Sequence, residues 1–280
     1  MKKILVFAAL CALTVSLKAQ SAVLFKIKYL PFHTYSASTK MTMNMDMDYK
    51  ADSVTLKQIK ASGAKLPVVM QVETNITSDL KTRNYNLNHE VPFTLNLKQS
   101  APKMIVNDVA TPLPITGTDD IIYGRYSING KLTLEGLHGK TLTDSARKVI
   151  NGLIKTIDAN VEFPKVPIKV GDSFAQDIDT DVPVPGIEAK MTMKVTYKLL
   201  AIVGGKATFH MDIAATTDKG NGGIEVKGTG TGKFVYDIGM HCTESMNETV
   251  NMTYIRPMPQ QNVSMKGKVQ MVMSQQMVIK

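Results

Sequence analysis

Strict alternation of apolar and polar residues is the feature that most narrows what this chain can become. From Thr39 to Tyr49, Met41, Met43, Met45 and Met47 fall on one side, and Thr42, Asn44, Asp46 and Asp48 fall on the other. Successive side chains of a strand point to opposite faces, so such a segment is apolar on one face and wet on the other. The pattern recurs at Met191, Met193, Val195 and Tyr197, at Ala207, Phe209, Met211 and Ile213, and at Val263 and Met265. It closes the chain at Val269, Met271 and Met273, and it opens it at Val23–Tyr29. Turn signals separate these runs: Ala61-Ser62-Gly63-Ala64, Asn129-Gly130, Gly204-Gly205, Gly220–Gly223 and Pro257-Met258-Pro259. Asn129-Gly130 and Gly204-Gly205 lie between alternating runs and predict two-residue hairpins.

One stretch departs from period two. Ala146, Val149, Ile150, Leu153, Ile154 and Ile157 recur at helical spacing and predict an amphipathic helix over 143–160, capped by Thr143 or Asp144. A dozen or so strands with one helix near the middle of the chain predict an α+β class that is mostly antiparallel β. The helix then packs on a large curved sheet, a half-barrel or a sandwich. The expectation is one β-rich domain over 21–280. A division into two β halves, 21–140 and 161–280, around the helix stays open, because Lys-Met-Thr-Met occurs at both Lys40–Met43 and Lys190–Met193.

Residues 1–20 read as a signal peptide. Lys2 and Lys3 precede an apolar run from Ile4 to Val15, too short to span a bilayer, and Ala19-Gln20 offers a cleavage site. Cys11 lies inside that run behind Leu10, so it leaves with the leader rather than carrying a lipid anchor. Cleavage lowers the charge from +9 to +6 and leaves Cys242 as the one thiol, expected to be buried. The mature chain is expected to be periplasmic or secreted, with no transmembrane segment. Its lysines are dispersed along strand faces without clustered aromatics, which argues against nucleic-acid binding.

Few residues offer chemistry. Gly171-Asp172-Ser173-Phe174 resembles the nucleophile block of GDS-type esterases, yet Asp237 and His241 have the wrong spacing for the base, and that fold needs alternating β and α. Gly228-Thr229-Gly230-Thr231-Gly232-Lys233 fails as a phosphate loop, because Lys227 stands where the first Gly belongs and Phe234 where the hydroxyl belongs; glycine relieving crowding in a strand is the better reading. Asp177, Asp179 and Asp181 alternate before Pro183 without a calcium loop around them. No catalytic residues, cofactor or metal are assigned, and the chain reads as non-enzymatic.

The methionines, 18 in 280 residues with no tryptophan, carry the rest. Flexible thioethers can fill an irregular core, line an adaptable apolar cavity, or bind Cu(I), with His33 and His210 as added ligands in the last case. The expected ligand-lining set is Met41, Met43, Met45, Met47, Met191, Met193, Met265, Met271 and Met273. The leading expectation is an exported, non-enzymatic binder of an apolar small molecule, lipid or acyl chain on a Met-lined concave sheet. The alternatives are a structural or protein-interaction module of the cell envelope with a filled core, and periplasmic Cu(I) binding.

Phe163-Pro164-Lys165-Val166-Pro167-Ile168-Lys169-Val170-Gly171-Asp172-Ser173-Phe174 resembles the P-x-x-x-V-K-V-G-D-S-[WF] segment of uncharacterised secreted β-rich proteins of the Bacteroidota. The run from Tyr197 and the Gly-rich stretch at 223–236 fit the same pattern. The resemblance implies export and a β-rich fold, and it brings no activity or site residues. It also implies that Asp52-Ser53-Val54 and Asp144-Ser145-Ala146 are O-glycosylation sites of that phylum's D-[ST]-aliphatic type. The sequons at Asn75, Asn247, Asn251 and Asn262 matter only in a host that N-glycosylates.

Overall fold

A computed structural model describes residues 22–61, 63, 65–112, 121–127, 132–137, 161–184, 189–217, 223–258 and 263–280. The signal peptide expected over 1–20 and the helix expected over 143–160 lie outside the described residues, as does the Asn129-Gly130 turn signal.

Among the described residues, thirteen strands form one antiparallel, open, curved sheet. In chain order they are β1 (Thr34–Lys50), β2 (Val68–Thr82), β3 (Val91–Gln99), β4 (Lys103–Val106), β5 (Val109–Pro112), β6 (Ile121–Tyr126) and β7 (Leu132–Leu137). Then follow β8 (Ser173–Asp181), β9 (Lys190–Val203), β10 (Lys206–Thr216), β11 (Glu225–Asp237), β12 (Cys242–Met258) and β13 (Val263–Ile279). The spatial order is β7-β6-β3-β2-β1-β13-β12-β11-β10-β9-β8. The short β4–β5 hairpin pairs with β2 beside β3. The strands before residue 140 and those after residue 161 thus build adjoining sides of one sheet, joined where the first strand pairs with the last. That β1–β13 seam runs for the full length of both strands, from Tyr35 opposite Ile279 to Lys50 opposite Ser264.

The alternating runs become strands, and several fuse. Val263–Met265 and Val269–Met273 are parts of one 17-residue strand, and the run after Tyr197 continues β9. Gly204-Gly205 closes the β9–β10 hairpin with φ of 58° and 76°, the left-handed pair that a type I′ turn requires. β6 and β7 pair antiparallel on either side of the Asn129-Gly130 signal.

Val23–Tyr29 differs from the expectation. Its residues keep the alternation, with Phe25 and Tyr29 buried, yet it forms a single bridge, Val23 with Ile168, instead of a strand. The segment crosses a face of the sheet rather than lying at an edge. Its backbone groups find scattered partners: the Lys28 amide donates to the His241 carbonyl, and the Lys26 carbonyl accepts from the Tyr236 hydroxyl. Val166–Val170 also contributes only that one bridge.

A second difference is a helix, α1 (Ser53–Ala61), after β1. Asp52 is its N-cap: its Oδ1 accepts from the Val54 and Thr55 amides, both at 2.9 Å. These bonds hold the Asp52 carboxyl below its usual range. No residue of α1 is buried.

Two clusters pack one face. One gathers Tyr29, Tyr35, Phe93, Leu95, Leu97, Ile122 and Tyr126 around β3 and β6. The other runs from Met45 and Met70 across to β8–β12. Its aromatic centre stacks Phe209 on Phe234, with centroids 4.5 Å apart. Phe25 and Phe163 close over that pair at 5.3 and 5.8 Å from Phe209. Rings at these separations add to the burial gain that drives the packing.

Candidate functional site

The register places the methionines in rows. Odd residues of β1 and β13, and even residues of β2, β11 and β12, share the inner face. One row reads Met70, Met45, Val269, Met252, Gly228, Ala215 and Met193. The next reads Val72, Met43, Met271, Val250, Gly230, Ile213 and Val195. The third reads Thr74, Met41, Met273, Glu248, Gly232, Met211 and Tyr197. On β2, β1 and β13 these rows form a three-by-three block that is almost entirely methionine and valine. Met47 and Met265 extend it along the two central strands.

The nine expected lining residues divide by exposure. Met45, Met191 and Met273 are buried, whereas Met41, Met43, Met47, Met193, Met265 and Met271 remain partly exposed. Eight of the nine lie in or against the same cluster; Met41 stands beside Met273 in the third row. Met191 and Met193 sit on β9, across the glycine strand from the other seven.

That strand explains the Gly-rich motif. Gly228, Gly230 and Gly232 all point their missing side chains at the inner face. A Cβ on Gly230 would stand 2.5 Å from the Thr249 carbonyl and 2.9 Å from Val250 Cγ2; one on Gly232 would meet the Met211 methyl. Residues of β10 and β12 lean over the gap that β11 leaves, so the motif is a packing device, as its alternating flanks imply.

Glu248 is a site residue that no motif in the sequence marks. It stands between Met273 and Gly232 in the third row, on the inner face, and burial pushes its carboxyl above the usual range. The Glu248 charge in turn adds to the burial that raises Tyr197, at the far end of the same row. Three rows along β12 from Glu248, Tyr254 is buried over Gly267, its hydroxyl lacks a partner among the described residues, and burial pushes it up to about 12. β12 therefore sets a polar group at each end of the methionine block. The period-two register of Met246, Val250, Met252 and Tyr254 already placed Glu248 on the apolar side.

The remaining candidates are dispersed. His210 lies on the outer face beside Asp212, opposite the methionines, and His33 precedes β1 with its Nδ1 2.6 Å from the Pro31 carbonyl. Among the described residues no group of three or more His, Cys, Asp and Glu converges. Ser173 begins edge strand β8, and Asp172 accepts from the Lys169 amide in the turn before it. Asp177, Asp179 and Asp181 line the exposed face of β8, where Lys190 pairs Asp181 at 2.5 Å and Thr192 donates to Asp179. Charges on an edge strand discourage pairing with other chains. Cys242 is buried, and burial pushes its thiol up to about 12. Among the described residues, no helix is long and apolar enough to cross a membrane.

No family model matches this chain, and no curated protein does. A solved structure concerned with lipid–protein interactions in lipovitellin is similar over 90% of this chain, at 9% identity and a TM-score of 0.43. The chain spans 26% of that protein's length. A likeness this distant transfers neither ligand nor activity.

Proposed function

We propose that the chain is an exported, non-enzymatic protein that binds an apolar ligand, a lipid or acyl chain, on its methionine face. The observation that carries this reading is a row of partly exposed methionines on the two central strands, Met41, Met43 and Met271 on one side of the buried Met45–Val269 pair and Met47 and Met265 on the other. It borders sealed residues on the same strands. Unbranched thioethers repack around differing guests at small cost, which suits a surface that accepts acyl chains. The aromatic half is closed by Phe25 and Phe163, whose ring contacts fall on β8, β10 and β11, away from this block. Glu248 and Tyr254 flank the block and offer hydrogen bonds to a polar head.

The rival, an envelope interaction module with a filled core, draws on Met45, Met70, Met191, Met211, Met246, Met252 and Met273, all buried. Native mass spectrometry separates the two. The protein is exported with its own leader, purified from the periplasm, and also incubated with oleic acid or dioleoyl phosphatidylethanolamine vesicles. A bound lipid mass that disappears in a Met43→Lys/Met271→Lys variant supports the binder. An apo mass under all three conditions removes it in favour of the filled core.

A further inference from the structure

We propose that the opposite, polar face of the sheet carries a second site, a trough that binds one extended uncharged oligosaccharide across the strands. This site is independent of the methionine-face reading.

The trough is a cavity of about 690 Å³, and the register shows how it is built. Its floor is backbone along the row Val269, Met252, Gly228 and Ala215, whose side chains point to the other face. One wall is the ladder Asn44, Gln270, Asn251 and Thr229, consecutive partners on β1, β13, β12 and β11. The other wall is Asp46, Lys268, Thr253 and Lys227 on the same strands. From β1 to β10 are four interstrand steps of about 4.8 Å, so the trough runs roughly 19 Å. The two walls stand two residues apart on every strand, which sets the groove about 7 Å wide. That is room for a single file of rings and too narrow for a globular ligand.

The lining selects the occupant. Each lysine is matched by a carboxylate: Asp46 faces Lys268 in register, and Glu225 holds Lys227 at 2.5 Å. The balance of charge disfavours nucleic acid, which needs a net positive surface. An acyl chain would strip water from eight polar side chains and return no hydrogen bonds. An extended peptide needs pockets for alternate side chains, and these walls are flat ladders of amides, hydroxyls and paired charges. A sugar hydroxyl both donates and accepts, as do the amides of Asn44, Asn251 and Gln270 and the hydroxyls of Thr229 and Thr253. These groups recur at the interstrand spacing, which is close to the advance per ring of an extended β-linked glycan. The Gln270 amide already donates to Asn251 Oδ1 at 3.1 Å, which orients both amides along the wall.

The test is calorimetric titration of the mature chain with three neutral hexasaccharides: β-1,4-linked glucose, β-1,4-linked N-acetylglucosamine and α-1,4-linked glucose. At least one β-linked hexamer is expected to bind saturably, with its trisaccharide and the α-linked hexamer each at least tenfold weaker. An Asn251→Ala/Gln270→Ala variant should lose tenfold or more in affinity with an unchanged thermal melt, because both side chains are exposed. Lys198→Ala, on the same face outside the trough, should bind as wild type. Absence of saturable binding to both β-linked sugars, equal or tighter binding of the α-linked one, or binding indifferent to the double substitution, overturns the proposal. So does tighter binding of a polyuronate hexamer or a single-stranded oligonucleotide than of every neutral sugar.

Discussion

Replacing Gly230 by alanine tests whether the glycine strand is a packing device. The added Cβ would stand 2.5 Å from the Thr249 carbonyl oxygen, 2.9 Å from Val250 Cγ2 and 3.0 Å from Val250 Cα, where ordinary contact begins near 3.4 Å. Two of these neighbours are backbone, and the third belongs to a fully buried β-branched side chain with little rotamer freedom. Relief therefore requires β11 and β12 to move apart by most of an ångström. Overpacking of this kind costs about 1–3 kcal/mol. Removing glycine's freedom from the unfolded chain returns about 0.5–1 kcal/mol. The expected net loss is about 1–2 kcal/mol, a five- to thirty-fold change in the folded-to-unfolded ratio. Gly136→Ala on β7 is the control, since nothing lies within 4 Å of its Cβ and its φ is not positive; it should gain about 0.5 kcal/mol. Urea unfolding followed by far-ultraviolet circular dichroism reads both midpoints at constant slope. Gly230→Ala no less stable than Gly136→Ala would refute the close-packed account of β11.

Glu248→Gln should stabilise the protein at neutral pH. The folded carboxyl titrates above its unfolded value because burial disfavours the charged form, so stability present below the unfolded pKa is lost as pH rises through the folded one. The gain in unfolding midpoint should therefore appear above pH 5 and vanish at pH 4; an equal gain at both would show that the charge is not its source. Cys242 should resist thiol reagents in the native state, since its thiol is buried and pushed up to about 12, and should react at once in denaturant. Rapid labelling of the folded protein at pH 7 would contradict the burial.

Local alternation was enough to read β1, β9, β10 and β13, because one face of each is apolar and the period is two. The same rule could not tell Val23–Tyr29 from a strand: a segment that crosses a sheet face also buries every second residue, and only the absence of lateral partners distinguishes it. α1 was invisible to periodicity because it buries nothing, although Asp52 followed by Thr55 is a capping pattern. Of the site, the methionine stripe and the crowding role of Gly228–Gly232 were legible. The rows were not, since setting Glu248 beside Met273 and Asn251 beside Gln270 depends on pairings between distant strands. For the same reason the polar trough could not be seen before the register was known.

The central claim, that the methionine face holds an apolar ligand, is tested most directly by limited peroxide oxidation with peptide mapping, with and without saturating oleic acid. Sulfoxide should form first at Met41, Met43, Met47, Met265 and Met271, and later at Met45 and Met273, because the former are partly exposed and the latter buried. Oleic acid should slow the first group severalfold and leave Met258, equally part-exposed but at the far end of β12, as reactive as before. Equal oxidation of all five with and without the fatty acid would contradict the account.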